Sequence, residues 1–157
     1  WHLGDGICEE FDGLLWASIT LLTASFLAAT LLPGSSEILL VALIVQHPDA
    51  ALLFVLVATV GNTAGSVVNY VLGLWLGRPV AERFPKIASK ESLARSEAWF
   101  SRYGMWTLLF AWVPVIGDPL TVLAGVLKTR FVPFVLLVAA GKSARYIAIA
   151  AGVRAFS

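Results

Sequence analysis

The sequence has few of the residues from which metal sites and nucleophilic active sites are built. One of its 157 residues is cysteine, two are histidine, and 13% are charged. Cys8 stands alone, which excludes an internal disulfide and a thiolate metal site. His2 and His47 lie far apart and have no metal-spaced partner, so we expect neither a metal nor another cofactor. A net charge of +1 provides no overall positive field to attract nucleic acid.

Charges are also missing from long stretches of the chain. Hydrophobic residues make up 59% of the sequence, above the roughly 45–50% of soluble domains. Residues 14–46 contain one charge, Glu37, and residues 50–77 contain none. Such stretches exceed the roughly 20 apolar residues that cross a hydrocarbon core. They also lack the recurring polar face of a soluble core helix. The chain is therefore predicted to be an integral membrane protein.

The first 13 residues lack the basic region that opens a cleavable signal peptide. They hold the acids Asp5, Glu9, Glu10 and Asp12, and the chain has no initiator methionine. We expect residues 1–13 to be partly non-native sequence and assign no function to them.

Four apolar segments make up most of the remaining chain, and two of them are interrupted by proline and glycine. The second and fourth segments are continuous and long enough to span a bilayer. In chain order the segments are residues 14–46 (interrupted at 33–37), 50–77, 107–127 (interrupted at 114–119) and 131–153.

Basic residues cluster in the polar region 78–102 and in the short loop 128–130. Residues 1–13 and the turn at 47–49 contain no lysine or arginine. Because short loops rich in lysine and arginine stay in the cytoplasm, both basic regions are predicted to be cytoplasmic and the other two to face outward. The basic residues are Arg78, Arg83, Lys86, Lys90, Arg95, Arg102, Lys128 and Arg130.

This orientation makes each interrupted segment return to the side from which it enters. Proline cannot continue a helix without losing a hydrogen bond, and glycine permits the reversal. Such backbone is tolerated at membrane depth only where protein or a polar cavity covers it. We predict an all-α fold with two re-entrant helical hairpins and two spanning helices. The predicted hairpin breaks are at Pro33, Gly34, Pro114, Gly117 and Pro119.

The two halves of the chain match one another weakly. A shift of 81 residues places Pro33 on Pro114 and Glu37 on Asp118. A shift of 80 places Gly61 on Gly141, Asn62 on Lys142 and Gly65 on Arg145. Because the charge rule gives the halves opposite directions, the pattern predicts an inverted repeat, in which transporters place a site near the midplane.

The chain is predicted to form a single membrane domain over residues 14–157. Its halves are residues 14–77 and 103–154, and residues 78–102 join them. Within the joining segment, Pro79 is expected to end the second span, and residues 89–103 are expected to form an amphipathic helix at the cytoplasmic surface.

Four charges fall inside the apolar segments: Glu37, Asp118, Lys142 and Arg145. Each would cost about 2.5–3.5 kcal/mol at the centre of a spanning helix if it were unpaired. We expect the two acids and two bases to line a polar cavity at the hairpin tips. The alternative is a set of fixed ion pairs that holds the bundle together.

The types of these residues suit transport of an anion. A carboxylate beside a cation suits proton coupling. Arg145 presents a planar fork suited to phosphate, and Lys142 presents a point charge. We also expect Asn62 and Asn69 to contribute, by hydrogen bonding to the re-entrant backbone.

Small residues recur every four positions along the second span, which permits close helix packing. They serve either contacts within the chain or a homodimer. The recurring residues are Gly61, Gly65, Asn69, Gly73 and Gly77.

Enzyme classes fit poorly, because no second aspartate lies in a span to complete an aspartyl protease and no histidine lies there to activate a serine. We predict that the chain is not an enzyme.

Four motifs between Phe26 and Val153 resemble the DedA superfamily, also called the VTT or SNARE-associated Golgi protein family, and within it the YqaA-like branch. The resemblance implies a bacterial inner-membrane protein with paired re-entrant hairpins. Some members are implicated in proton-dependent transport or in flipping lipids such as undecaprenyl phosphate, and eukaryotic members in lipid scrambling. The motifs are ATLLPGSSE at residues 29–37, GNT at 61–63 with Asn69-Tyr70, WVPVIGDP at 112–119 and GKSARY at 141–146.

By position, the resemblance matches Glu37 and Asp118 to acidic residues of the family's hairpins. Many members carry arginines around the proline of the second hairpin, whereas Trp112 and Val113 precede Pro114 here. The phosphate-handling role implied for those arginines would fall to Arg145.

The sequence predicts an inner-membrane transporter or lipid translocase driven by the proton-motive force. Its expected partners are membrane lipids and protons, and its expected substrate is an anionic or phosphate-bearing lipid or small solute, such as a phospholipid or a polyprenyl phosphate. The alternative is a non-transporting membrane factor that supports envelope integrity or membrane-protein assembly.

Overall fold

The structure, a computed structural model, describes the backbone of residues 3–30, 34–81, 90–113 and 116–156, and their side chains outside 3–11, 76–81, 90, 92–93 and 156. Within these ranges the chain is helical and contains no strand, which confirms the all-α prediction. In chain order the helices are α1 (Leu3–Ala28), α2 (Ser35–Gln46), a short 3-10 turn (Pro48–Ala50), α3 (Ala51–Ala81), α4 (Lys90–Tyr103), a 3-10 helix (Gly104–Trp112), α5 (Gly117–Val126) and α6 (Phe131–Phe156).

Two helical stretches in the described part of the chain are long and apolar enough to cross a membrane. They are Pro48–Trp75, with 28 residues, and Phe131–Ala155, with 25 residues. They coincide with the predicted second and fourth segments. By contrast, α2 has 12 residues and α5 has 10. At 1.5 Å per residue these two helices are about 18 and 15 Å long, too short to cross a hydrocarbon core of about 30 Å alone.

The two long helices α3 and α6 run in opposite directions and pack along their length. Near one end, the Tyr70 ring lies 4.5 Å from the Phe134 ring. In the middle, Asn62 contacts Lys142. At the other end, Arg154 Nη2 donates a hydrogen bond to Pro48 O at 3.1 Å. Residue numbers fall along α6 as they rise along α3, so the pair is antiparallel.

Each long helix also packs closely on the helix that opens its own half of the chain. A Cβ at Gly61 would lie 2.5 Å from Leu22 O of α1, and a Cβ at Gly65 would lie 2.6 Å from Phe26 O. Gly141 of α6 approaches the backbone carbonyl of Leu109 in the 3-10 helix in the same way. These glycines thus serve packing within the chain, one of the two roles expected for the small-residue stripe.

The short helix α5 is the most enclosed element. It crosses α3 where Gly73 meets the Val122 carbonyl and Gly125 meets the Tyr70 carbonyl, each glycine making room for the other backbone. Most of its side chains are buried on all sides, as expected for a helix without a polar face. Its enclosure holds the start of α5 at the centre of the molecule.

One sequence expectation about an element boundary was wrong. Pro79 does not end the second span, because α3 continues to Ala81. Proline destabilises a helix interior by removing a hydrogen bond and clashing with the preceding turn. Most of the stability of a helix comes from tertiary packing, and α3 packs on α1, α5 and α6, so it tolerates the loss of one hydrogen bond near its end. The first arm of the second interrupted segment is a 3-10 helix of nine residues, Gly104–Trp112, a helix type that the sequence did not specify.

Other expectations fall on residues that are not described. Pro33, Pro114, Arg83 and Lys86 lie outside the described residues. The amphipathic helix expected over residues 89–103 is present as α4, Lys90–Tyr103.

Candidate functional site

The two interruptions of the chain meet at the centre of the molecule. At the first break α1 ends at Ala28 and α2 begins at Ser35, and at the second break the 3-10 helix ends at Trp112 and α5 begins at Gly117. Gly34 has φ of 96°, a left-handed conformation that glycine adopts readily, and α2 begins directly after it. Glu37 lies in the first turn of α2, and Asp118 lies in the first turn of α5.

A small cavity lies between the two breaks and the middle of the long helices. Its volume is about 30 Å³, which is room for one or two water molecules. It does not hold a phosphate-bearing headgroup without opening. The cavity is lined by Ala28, Gly34, Ser36 and Glu37 from the first break and α2, by Ala111, Trp112, Val113 and Asp118 around the second break, and by Asn62, Lys142, Arg145 and Tyr146 from α3 and α6.

Arg145 joins the two breaks. Its guanidinium forms an ion pair with Glu37, and its Nη1 donates to Trp112 O, at the end of the 3-10 helix, at 2.7 Å. The Arg145 and Glu37 side chains are 22% and 28% exposed. The pair is therefore partly exposed at the surface of the protein.

Lys142 is the buried cation of the cluster. Its side chain is 3% exposed. Its Nζ donates to Asn62 O at 3.0 Å and to Ser66 Oγ at 2.5 Å, and it also contacts Asn62 Oδ1. These contacts use the three donors of the ammonium group. Asp118 experiences the positive charges of both Lys142 and Arg145.

Tyr146 completes the polar centre, although it was not among the predicted binding residues. Asn62 Nδ2 donates to Tyr146 Oη at 2.7 Å, and Ser36 Oγ lies 3.0 Å from the same oxygen. Tyr146 is 2% exposed and connects α2, α3 and α6. The signal that could have found it is its position four residues after Lys142, because residues four apart share one helix face.

The structure brings together five of the six predicted binding residues: Glu37, Asp118, Lys142, Arg145 and Asn62 all line the cavity. Asn69 is the exception, because it does not line the cavity. It is 0% exposed, and its Nδ2 donates to Ala29 O at 2.8 Å. Asn69 thus holds the backbone of the first break, as expected for its hydrogen bonding.

The predicted break residues of the second segment shape the position of Asp118. Gly117 presses against the carbonyl of Ala111, where a Cβ would not fit, and Pro119 is buried within α5. Asp118 is held between them at the cavity.

The charged groups of the site balance one another. Its two carboxylates and two cations sum to zero. Ser36 Oγ contacts a tyrosine rather than a general base. Among the described residues, no cluster of histidine, cysteine or acidic side chains is arranged to hold a metal ion.

Two membrane-length helices and a charge-balanced polar centre where two helix breaks meet define a polytopic helical membrane protein. The VTT domain family matches residues 32–154, most of the chain. The protein belongs to this family, which confirms the family that the sequence motifs indicated.

Curated relatives support the same assignment. The chain is 39% identical over 132 residues to inner membrane protein YqaA of Escherichia coli, covering 84% of this chain and 87% of that protein. It is 35% identical over 133 residues to an uncharacterized protein of Haemophilus influenzae, covering 80% of each. No solved structure matches the chain. With its two membrane-length helices, the chain is an inner-membrane protein.

A more distant relative is named as a transporter. The chain is 28% identical over 86 residues to undecaprenyl phosphate transporter A of Bacillus subtilis, covering 53% of this chain and 43% of that protein. Since less than half of that transporter is matched, the similarity extends to one part of it.

Proposed function

We propose that this protein is a membrane transporter or lipid translocase that moves an anionic, phosphate-bearing lipid or small solute and is coupled to the proton-motive force. The observation that carries the proposal is the position of Arg145. It pairs with Glu37 on one side of the cavity and bonds the backbone at the second break on the other. A ligand that takes Arg145 from Glu37 would act on both breaks at once.

The Arg145–Glu37 pair favours a phosphate-bearing ligand over a neutral one. Guanidinium groups bind phosphate in a two-pronged geometry, so a phosphate monoester competes directly with the Glu37 carboxylate. A proton on Glu37 removes its charge and weakens its pairing with Arg145. The cluster is neutral when closed, so an entering anion without a compensating proton would leave a net charge inside the membrane, which is costly.

The predicted re-entrant hairpins and inverted repeat remain part of this proposal. The short lengths of α2 and α5 and the antiparallel α3–α6 pair support them. So does the contact between Asn62 and Lys142, which the 80-residue shift aligns. Repeat-related residues contact one another only near the axis that relates the halves. The orientation, with segment 78–102 on the cytoplasmic side, is proposed on the charge rule.

The substrate class is supported by the relative named undecaprenyl phosphate transporter A. A polyprenyl phosphate combines an apolar chain with a phosphate that suits Arg145. Other phosphate-bearing lipids share this chemistry, and the test below compares them.

The test uses the full chain reconstituted in liposomes with an imposed pH gradient. The probe is a fluorescent short-chain polyprenyl phosphate, and the matching polyprenyl alcohol, which has no phosphate, serves as a ligand control. We expect gradient-dependent movement of the phosphate and not of the alcohol. A fluorescent phosphatidic acid in a parallel arm measures selectivity among phosphate-bearing lipids.

Variants then locate the activity. Arg145→Ala and Glu37→Gln are expected to abolish gradient-dependent movement. Arg95→Ala, which removes an exposed arginine of α4 outside the cavity, is expected to leave it unchanged. Movement that is equal in Arg145→Ala and Arg95→Ala would contradict the proposal.

A second candidate function is a non-transporting membrane factor. The observation that favours it is that Lys142 is fully hydrogen-bonded in a nearly closed cavity, as a structural ion cluster would be. This candidate predicts no gradient-dependent movement in any arm, with loss of folding stability as the only effect of changing the cluster. Measuring thermal unfolding of the same variants separates the two functions.

A further inference from the structure

A second groove lies away from the central cavity, at the corner between α4 and the 3-10 helix. Its volume is about 590 Å³, within the range of roughly 300–1,000 Å³ that ligand pockets occupy. It shares no lining residue with the central cavity. Its lining consists of Ala98, Trp99, Arg102, Tyr103 and Phe110.

The wall of this groove is aromatic and held in place. The Trp99 ring packs edge-on against Phe110, with centroids 5.7 Å apart at an interplanar angle of 86°, and lies 6.4 Å from the Tyr103 ring. Thr107 Oγ1 donates to Trp99 O at 3.2 Å and to Gly104 O at 2.7 Å, which ties the 3-10 helix to α4. The apolar surface is therefore formed before any ligand arrives.

A cation stands at the rim of the aromatic wall. The Arg102 guanidinium carbon lies 5.5 Å from the centroid of the Tyr103 ring, and in the described part of the chain Arg102 has no carboxylate partner. Trp99 is 37% exposed, Tyr103 53% and Phe110 44%. Large exposed aromatic side chains beside a cation are typical of the boundary between lipid chains and headgroups.

We propose that this groove, the α4 corner, binds an anionic phospholipid. The headgroup phosphate would pair with Arg102, and an acyl chain would lie on Trp99 and Phe110. The site requires both an anion and an apolar tail, since the cation covers only one edge of a mainly aromatic surface. A free phosphate would use the cation alone and leave the aromatic surface uncovered. This site would hold lipid whether or not the central cavity transports a substrate.

The experiment measures retention of defined lipids by native mass spectrometry. The full chain is purified in detergent and mixed with phosphatidylglycerol or with phosphatidylcholine, which has no net charge. Arg102→Gln is compared with Arg95→Gln, because Arg95 is an exposed arginine of the same helix outside the groove. We expect Arg102→Gln to weaken phosphatidylglycerol binding about tenfold, the effect of losing one charge-assisted hydrogen bond.

Further arms separate the sources of the effect. Trp99→Ala is expected to weaken binding of phosphatidylglycerol, and inorganic phosphate at millimolar concentration is expected not to displace the lipid. The proposal is overturned if Arg102→Gln and Arg95→Gln weaken binding equally, if phosphatidylcholine binds as well as phosphatidylglycerol, or if phosphate displaces the lipid. Leu136→Ala, at an exposed site on α6, controls for removal of an exposed apolar side chain. An unchanged melting temperature in Arg102→Gln excludes unfolding as the cause.

Discussion

The first and second halves of the molecule share a layout but divide the polar chemistry unequally. Each half has a helix break followed by a long helix, and each break contributes one carboxylate, Glu37 in the first and Asp118 in the second. Both cations of the cluster, Lys142 and Arg145, come from α6 alone. The corresponding helix of the first half, α3, contributes only neutral groups to the cavity.

Those neutral groups are positioned to hold the cation of the other half. At the 80-residue shift, Asn62 aligns with Lys142 and Ser66 aligns with Tyr146. Asn62 and Ser66 both accept hydrogen bonds from Lys142. Two helices with similar backbone layouts thus have complementary roles. One helix carries the buried charge, and its counterpart carries the hydrogen-bond acceptors that stabilise this charge.

The largest expected effect comes from removing the buried cation. Lys142→Met leaves the acceptors on Asn62 and Ser66 without their shared donor and removes a positive charge that Asp118 experiences. Breaking a buried charge cluster by removing one member costs about 3–5 kcal/mol, so the melting temperature should fall strongly. The control is Lys128→Met, at an exposed site. If the melting temperature of Lys142→Met equals that of wild type, the hydrogen bonds between Lys142 and α3 do not stabilise the fold.

A double variant makes the same comparison sharper. Adding Asp118→Asn to Lys142→Met removes the orphaned charge, and we expect part of the lost stability to return. Two residues in one charge cluster are coupled by about 0.5–3 kcal/mol. Additive losses in the double variant would mean that Asp118 and Lys142 act independently.

A smaller effect is expected from the glycines through which each long helix packs on its own half. A Cβ at Gly61 or Gly141 would meet a backbone carbonyl, whereas Gly152 has nothing within 4 Å. Overpacking costs about 1–3 kcal/mol, so Gly61→Ala and Gly141→Ala should destabilise the protein similarly and Gly152→Ala should not. A loss confined to one of the first two would show that the halves are packed differently.

The hydroxyl of Tyr146 should contribute less. Tyr146→Phe keeps the ring and leaves Ser36 and Asn62 without their common partner. An unsatisfied buried polar group costs about 1–3 kcal/mol, and the low end is expected because Ser36 and Asn62 can turn towards one another. Thermal unfolding measures the loss, with Tyr103→Phe at an exposed position as the control. Equal melting of both variants with wild type would remove Tyr146 from the network.

The smallest effect on stability is expected at Arg145. Arg145→Lys keeps the positive charge that pairs with Glu37, so the variant should melt close to wild type. Lysine lacks the planar fork that binds phosphate at two points, so movement of the polyprenyl phosphate should fall clearly. Full activity in Arg145→Lys would mean that a point charge is sufficient and that the guanidinium geometry has no role.

Much of the fold was predictable because its signals are local. The lengths of the two continuous apolar segments predicted the two long helices, and α4 was predicted from its amphipathic pattern. The nine-residue 3-10 helix was not predicted, because its apolar residues do not distinguish it from an α-helix. The continuation of α3 past Pro79 was missed because tolerance of a proline depends on how firmly tertiary packing holds the rest of the helix.

The membership of the candidate site was predictable for a different reason. Charges in an apolar segment are too costly to leave unpaired, so Glu37, Asp118, Lys142 and Arg145 had to find one another or water. Asn69 was assigned to the same site because amides suit broken backbone. It does hydrogen-bond the backbone of the first break at Ala29, but it does not line the cavity.

By itself, the sequence determined that the protein belongs in a membrane, where its helices are interrupted and which charged residues must be compensated. The tertiary structure alone decided that Arg145 pairs with Glu37, that Lys142 is held by α3 and that Tyr146 joins three helices. The physical reason is distance along the chain. The sequence around a charge shows that it lies in an apolar segment and needs compensation. Its partner is decided by where glycine-mediated crossings bring remote helices together.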